Sequence, residues 1–284
     1  MSAHRQYRSV RGIFSSIVVG FGAWLVAGTA AAGITGVVGS KHDLTSGGTA
    51  QATTGVTNEV CVFCHTPHGG ASGNVPLWNK VLPTTTTYAR YDNGVSSTVD
   101  GLNAPVGSVS IACLSCHDGG QAMDVVLNRP GSGLYSAAGA EIDPAAIGAM
   151  TNTGTFIPNL TTDLSNDHPI SIQYGGGGCS TTNTSCTTPA LKDPDFKLPQ
   201  TANINGLQVW WLDVTGVGTG GTREKTDMIL YTRTEATVAG GAQPFVECGS
   251  CHDPHNSGTA GASSVAFLRV SNDASRICTA CHNK

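Results

Sequence analysis

The sequence predicts a mostly irregular fold, with short helices at four CxxCH motifs, one small β-hairpin and a core that apolar side chains alone do not supply. Three observations predict it. Only 12% of the 284 residues are charged, about half the usual share, aromatics make up 6%, and Gly, Thr and Ser are abundant. Such a chain packs poorly for its length. CxxCH occurs four times, at Cys61-Cys64-His65, Cys113-Cys116-His117, Cys248-Cys251-His252 and Cys278-Cys281-His282. One stretch carries a clear β signal: LQVWWLDVT (207–215), a Gly-rich turn, then DMILYTR (227–233), which reads as a hairpin.

The elements follow in chain order. Residues 1–32 read as a secretory signal peptide. Arg5, Arg8 and Arg11 form a positive n-region, Ile13 to Ala27 an apolar stretch, and Ala30-Ala31-Ala32 a small-residue cleavage site. The apolar stretch is short for a membrane anchor. Residues 33–284 are expected to form one domain, with halves at about 33–130 and 150–284. Residues 33–60 are Gly/Thr-rich and read as extended, with His42 projecting from them. Residues 80–110, with Thr84 to Thr87, and residues 150–206 read as loop. Cys179 and Cys186 lie outside the CxxCH motifs and flank a short polar loop, and export favours a local disulfide between them. Trp210 and Trp211 are expected either in the core or against a prosthetic group.

The CxxCH spacing carries specific chemistry. Two thiols on one side of a short helical turn can add to the two vinyl groups of haem, and the adjacent His is then held beneath the iron. Four motifs imply four covalently bound haem c groups. Their cysteines would be Cys61, Cys64, Cys113, Cys116, Cys248, Cys251, Cys278 and Cys281. Their proximal iron ligands would be His65, His117, His252 and His282. Zinc is the rival for paired CxxC, but it does not explain why His follows the second Cys every time. Haem would also supply the missing buried apolar surface.

The chain has nine His. His4 leaves with the signal and four are proximal, so His42, His68, His168 and His255 remain: four spare imidazoles for four irons. The count predicts bis-histidine ligation throughout. Met123, Met150 and Met228 are the other possible sixth ligands, and packing is the expected role for them. The order repeats. A lone His precedes CxxCHxPH, and CxxCH follows, once from His42 and once from His168, as in a duplicated two-haem unit. His68 cannot reach the far face of the haem that His65 holds. Pro67 stiffens the exit, so His68 is expected to point to a neighbouring iron, and His255 to do the same after His252.

The stretches GVVGSKHDL, CVFCHTPHG, NDHPIS and CHDPH together resemble the tetrahaem extracellular cytochromes of the OmcE type, which come from metal-reducing bacteria and polymerise into filaments. The resemblance spans nearly the whole mature chain in order, and is weakest in the long Thr/Gly-rich segment between the second and third motifs. It implies a core of stacked haems and a histidine from one subunit completing a haem of the next. His68 or His42 would make that crossing, and His68 is favoured. It also implies a secreted, extracellular or cell-surface location.

Function follows from this set. Four six-coordinate haems suit electron transfer, with no catalytic residues, rather than an enzyme. The expected partners are identical subunits, outer-membrane or periplasmic cytochromes and extracellular electron acceptors. A discrete periplasmic or secreted carrier is the alternative. A multihaem reductase would need an open iron position, against which the histidine count argues. Without the signal, 12 basic residues stand against 19 acidic, a balance of −7, and this disfavours nucleic acid as a partner.

Overall fold

A computed structural model describes residues 36–283 except 49, 51–52, 72–74, 92–98, 132–133, 145–146, 154–156, 215–221, 238–239 and 257–266. The expected signal peptide and residues 215–221, which include the Gly-rich part of the expected hairpin turn, lie outside the described residues. From Ile34 onward the chain gathers into one compact unit. Among the described residues no helix is long and apolar enough to cross a membrane.

The expected hairpin is present, but as part of a five-stranded antiparallel sheet. β5 (Ile172–Gln173), β6 (Gln200–Ile204), β7 (Leu207–Leu212), β8 (Met228–Arg233) and β9 (Gln243–Val246) run in the order β5-β9-β8-β7-β6. Three of these strands fall outside the expected hairpin, and two, β5 and β6, come from the segment read as loop. The β6–β7 turn explains one of them. Ile204 pairs with Leu207 across Asn205-Gly206, and both turn residues have positive φ, +51° and +82°. That geometry matches the right-handed twist of the strands, and Asn-Gly adopts it at least cost.

Two smaller pairings flank the sheet. β1 (Ala89–Arg90) runs parallel to β4 (Asp163–Leu164), and β2 (Val125–Asn128) antiparallel to β3 (Tyr135–Glu141). The helices are short: α1 (Ser110–His117), α2 (Cys248–Cys251) and α3 (Arg276–Thr279), with a 3-10 turn at Val60–Phe63.

The main core lies on the sheet. Trp210, Leu212, Met228 and Leu230 pack with Tyr174 and with the disulfide between Cys179 and Cys186. Trp210 and Trp211 alternate in direction along β7, as strand neighbours must, yet both are buried, so β7 is covered on both faces. Met228 is a packing residue of this core. A second cluster joins Leu44, Phe63, Met123 and Ile147 around the first motif. A third packs Ile111 and Leu114 of α1 on Tyr88 and Leu164. Ile111 and Leu114 are one turn apart on α1. Cys113, Cys116 and His117, also at one-turn spacing, take a different face of it.

Candidate haem sites

Each CxxCH motif folds as a helical turn. The His65 N–H donates to the Cys61 carbonyl at 2.8 Å, His252 to Cys248 at 3.0 Å and His282 to Cys278 at 3.0 Å. The second motif ends the full helix α1. One such turn brings both thiols and the imidazole to one side of the backbone, as haem attachment needs.

Four different scaffolds hold the turns. Asn79, fully buried, staples the first. Its N–H donates to the Cys64 carbonyl at 2.8 Å and its amide to the Val62 and Asn128 carbonyls at 2.7 and 2.8 Å, while its side-chain oxygen accepts the Asn128 N–H at 2.8 Å. The second motif is carried by α1, packed on Tyr88 and Leu164. The third follows β9 directly. Glu247 caps α2 in a reciprocal box with Ser250. The fourth is tied to residues 194–197: the Lys197 N–H donates to the Cys281 carbonyl at 2.8 Å and the Asn283 N–H to the Asp195 carbonyl at 2.7 Å.

The thiols of successive motifs lie within electrostatic reach of one another. Burial pushes the Cys64 thiol up to about 12, and the Cys116 sulfur adds to the shift. Cys113 shares a hydrogen bond with Cys248, which together with burial pushes the Cys113 thiol well up. Burial raises Cys251 to about 11 and Cys281 to about 12, the latter with help from Cys251. These surroundings favour a neutral sulfur. A thioether, also neutral, suits them equally.

Two histidine pairs face one another across the fold. The ring centroids of His65 and His255 are 6.1 Å apart with planes 18° from parallel. Those of His42 and His117 are 6.2 Å apart with planes at 72°. Nδ1 of His117 lies 2.7 Å from the Pro158 carbonyl. The His42 ring bonds the Pro254 carbonyl and stacks on Phe267 at 4.0 Å. Burial, then the neighbouring His117, holds His42 down to about 4, and burial also lowers His117. Both are thus neutral at pH 7, the form that binds a metal.

A cavity of about 550 Å³ holds His42 and His117 together with His168, His252, Cys113, Cys248 and Cys251, between apolar walls that include Met123, Met150 and Leu164. A groove of about 760 Å³ runs beside Cys61, His65 and His68. The His68 ring is exposed there, while its carbonyl is fixed by Thr66 Oγ1 at 2.9 Å and Asn128 Nδ2 at 2.8 Å. The His282 ring packs on Phe196 at 4.3 Å.

These residues fit haem. The donor set is two thiols and an imidazole per turn, the cavity is apolar, and the groove is lined by Arg129, whose Nε is buried without a hydrogen-bond partner and suits a propionate. Sequence reasoning missed Asn79, Lys80, Ser110, Arg129 and Glu247. Isolated polar residues of this kind carry no local pattern. Only the Glu247–Ser250 spacing, a capping arrangement, was there to be found.

Residues 238–284, which contain the third and fourth motifs, match the doubled CXXCH motif model. No curated protein matches the chain. The doubled motif is a feature of multihaem c-type cytochromes: it marks covalently bound haem c and an electron-transfer role.

Proposed function

We propose that the protein is an exported tetrahaem electron conduit. Each of its four CxxCH turns carries one haem c held by two histidines, and its subunits join head to tail into a conducting filament. What supports this is the closeness of the four motifs in chain order: Cys113 bonds Cys248, Cys64 lies within electrostatic reach of Cys116, and Cys281 within that of Cys251. Motifs this near would hold their haems close enough for electrons to pass along a row.

The haem iron supplies the redox change. The chain does the rest. Its thiols fix each group covalently. Its paired imidazoles would close both iron faces, so that little rearranges on electron transfer and no position opens to substrate. Its apolar walls keep out water. His68, exposed in the groove beside the first motif, is the residue proposed to reach an iron of the next subunit. A head-to-tail contact that does not close into a ring extends into a fibre. The partners would be identical subunits, outer-membrane or periplasmic cytochromes, and an electron acceptor outside the cell.

Cryo-electron microscopy of the native secreted protein tests this. Filaments with an unbroken haem row and a histidine crossing between subunits are the expected result. Monomers with all four irons closed within one chain would make the protein a diffusing carrier and end the filament proposal.

A further inference from the structure

We infer that His65 and His255 are the two axial ligands of the iron carried on Cys61 and Cys64, and that His117 and His42 are those of the iron carried on Cys113 and Cys116. This rests on the proposed function in assuming that each motif carries a haem.

The separation of the rings carries the argument. Two imidazoles on opposite faces of one iron, each with its nitrogen about 2 Å from the metal, have centroids about 6 Å apart. The two pairs stand at 6.1 and 6.2 Å. Both separations are wider than face-to-face stacking. For comparison, His42 stacks on Phe267 at 4.0 Å. The second pair is also oriented as ligands are. Each of its rings is anchored through a hydrogen bond to a proline carbonyl, His117 to Pro158 and His42 to Pro254. Such an outer bond fixes the ring and leaves the other nitrogen for metal. In the first pair Nδ1 of His255 lies 3.6 Å from Asp253 Oδ1, which places a carboxylate on one side of that ring.

The pairing makes residues 252–255 a junction. His252 belongs to the third motif's iron. His255, three residues on, serves the first motif's iron. The Pro254 carbonyl between them orients His42 on the second motif's iron. One four-residue segment thus sets the relative positions of three irons, and the two halves of the chain interlock instead of standing as independent two-haem units.

The two irons would also differ electronically. Near-parallel imidazole planes act on the same iron d orbital and split the upper pair, which gives a rhombic low-spin ferric signal. Near-perpendicular planes act on different orbitals and leave them close in energy, which gives a strongly anisotropic one. The angles of 18° and 72° therefore assign a rhombic signal to a haem on the first motif and an anisotropic signal to one on the second.

Electron paramagnetic resonance of the full-length haem-loaded protein tests the pairing. His255→Ala is expected to remove one haem equivalent of rhombic signal and convert it to high spin, with added imidazole restoring low spin. His42→Ala is expected to remove the anisotropic component instead. Exchange of the two losses, or low-spin content unchanged in His255→Ala, overturns the pairing. If His255→Ala loads no haem, His255→Met is used. A thioether in place of an imidazole raises the potential of one haem, and four unchanged potentials would also overturn it. The failures are distinguishable, because high-spin iron in the unsubstituted protein counts against the six-coordinate conduit and not against the pairing.

Discussion

Ser110 on α1 donates its hydroxyl to the buried carboxylate of Glu247 at 2.6 Å, and the same hydroxyl accepts the N–H of Cys248 at 2.9 Å. A single side chain thus ties the helix of the second motif to the first turn of the third. Glu247 is held further by Ser171 at 3.0 Å and Arg233 at 2.8 Å. Burial raises the Glu247 pKa, and these bonds work against that shift.

Removing the hydroxyl leaves a buried acceptor and a buried donor short of a partner. Ser110→Ala is expected to cost about 1–3 kcal/mol of stability. Denaturant unfolding of the haem-loaded protein measures it, and Ser110→Thr, which keeps the hydroxyl, is expected to recover most of the loss.

The acid side of the stability curve follows from His42. Its folded pKa, about 4, lies below the ordinary value of 6.5, so the unfolded chain takes up a proton at higher pH than the folded chain does. Its contribution is fully present above about pH 6.5 and is lost as pH falls through about 4, a loss of up to about 3 kcal/mol. Iron ligation, which also needs the neutral ring, acts in the same direction. Unfolding curves between pH 7 and pH 4 are expected to show this slope, and His42→Phe to flatten it.

Lys80 is fully buried. Its ammonium donates to the Met123 carbonyl at 3.0 Å and the Val125 carbonyl at 2.8 Å, within electrostatic reach of Cys64. A buried cation beside a haem on the first motif would favour the reduced form, which carries one positive charge fewer. Lys80→Met is expected to lower one potential by roughly tens of millivolts, from Coulomb's law at an effective dielectric of ~20. Spectroelectrochemical titration reads it. Four unchanged potentials would show that the ammonium serves only the fold.

What was legible in the sequence was local. The CxxCH turns, the disulfide and strands β7 and β8 each follow from residues a few positions apart. Asn205-Gly206 was legible too. The surrounding Thr and Gly content outweighed it, although Thr201 to Ile204 pair residue by residue with Leu207 to Trp210. The pairing of His65 with His255 and of His42 with His117 was not legible. Counting matched four spare imidazoles to four motifs but carried no partner information, because the partners lie far apart in sequence: His255 is 190 residues after His65, and His42 is 75 before His117. The buried staples were invisible for the same reason: Asn79 and Ser110 act on backbone far away in sequence.

His68 provides the last test. If His65 pairs with His255 and His117 with His42, and His168, which lines the same cavity as His252, serves that motif, an iron beside His282 would find no further histidine in its own chain but His68. His68 remains, exposed at the groove of the first motif, so the fourth iron of one subunit is expected to be completed by His68 of the next. His68→Ala is then expected to abolish filaments and leave subunits with one high-spin haem each. Added imidazole should return that haem to low spin without restoring the filament, because it replaces the ligand but not the covalent link between chains. Electron microscopy and the ferric spectrum of the same sample read both effects. Filaments that persist in His68→Ala would assign the crossing to another residue, and monomers that stay wholly low-spin would place His68 outside the ligand set.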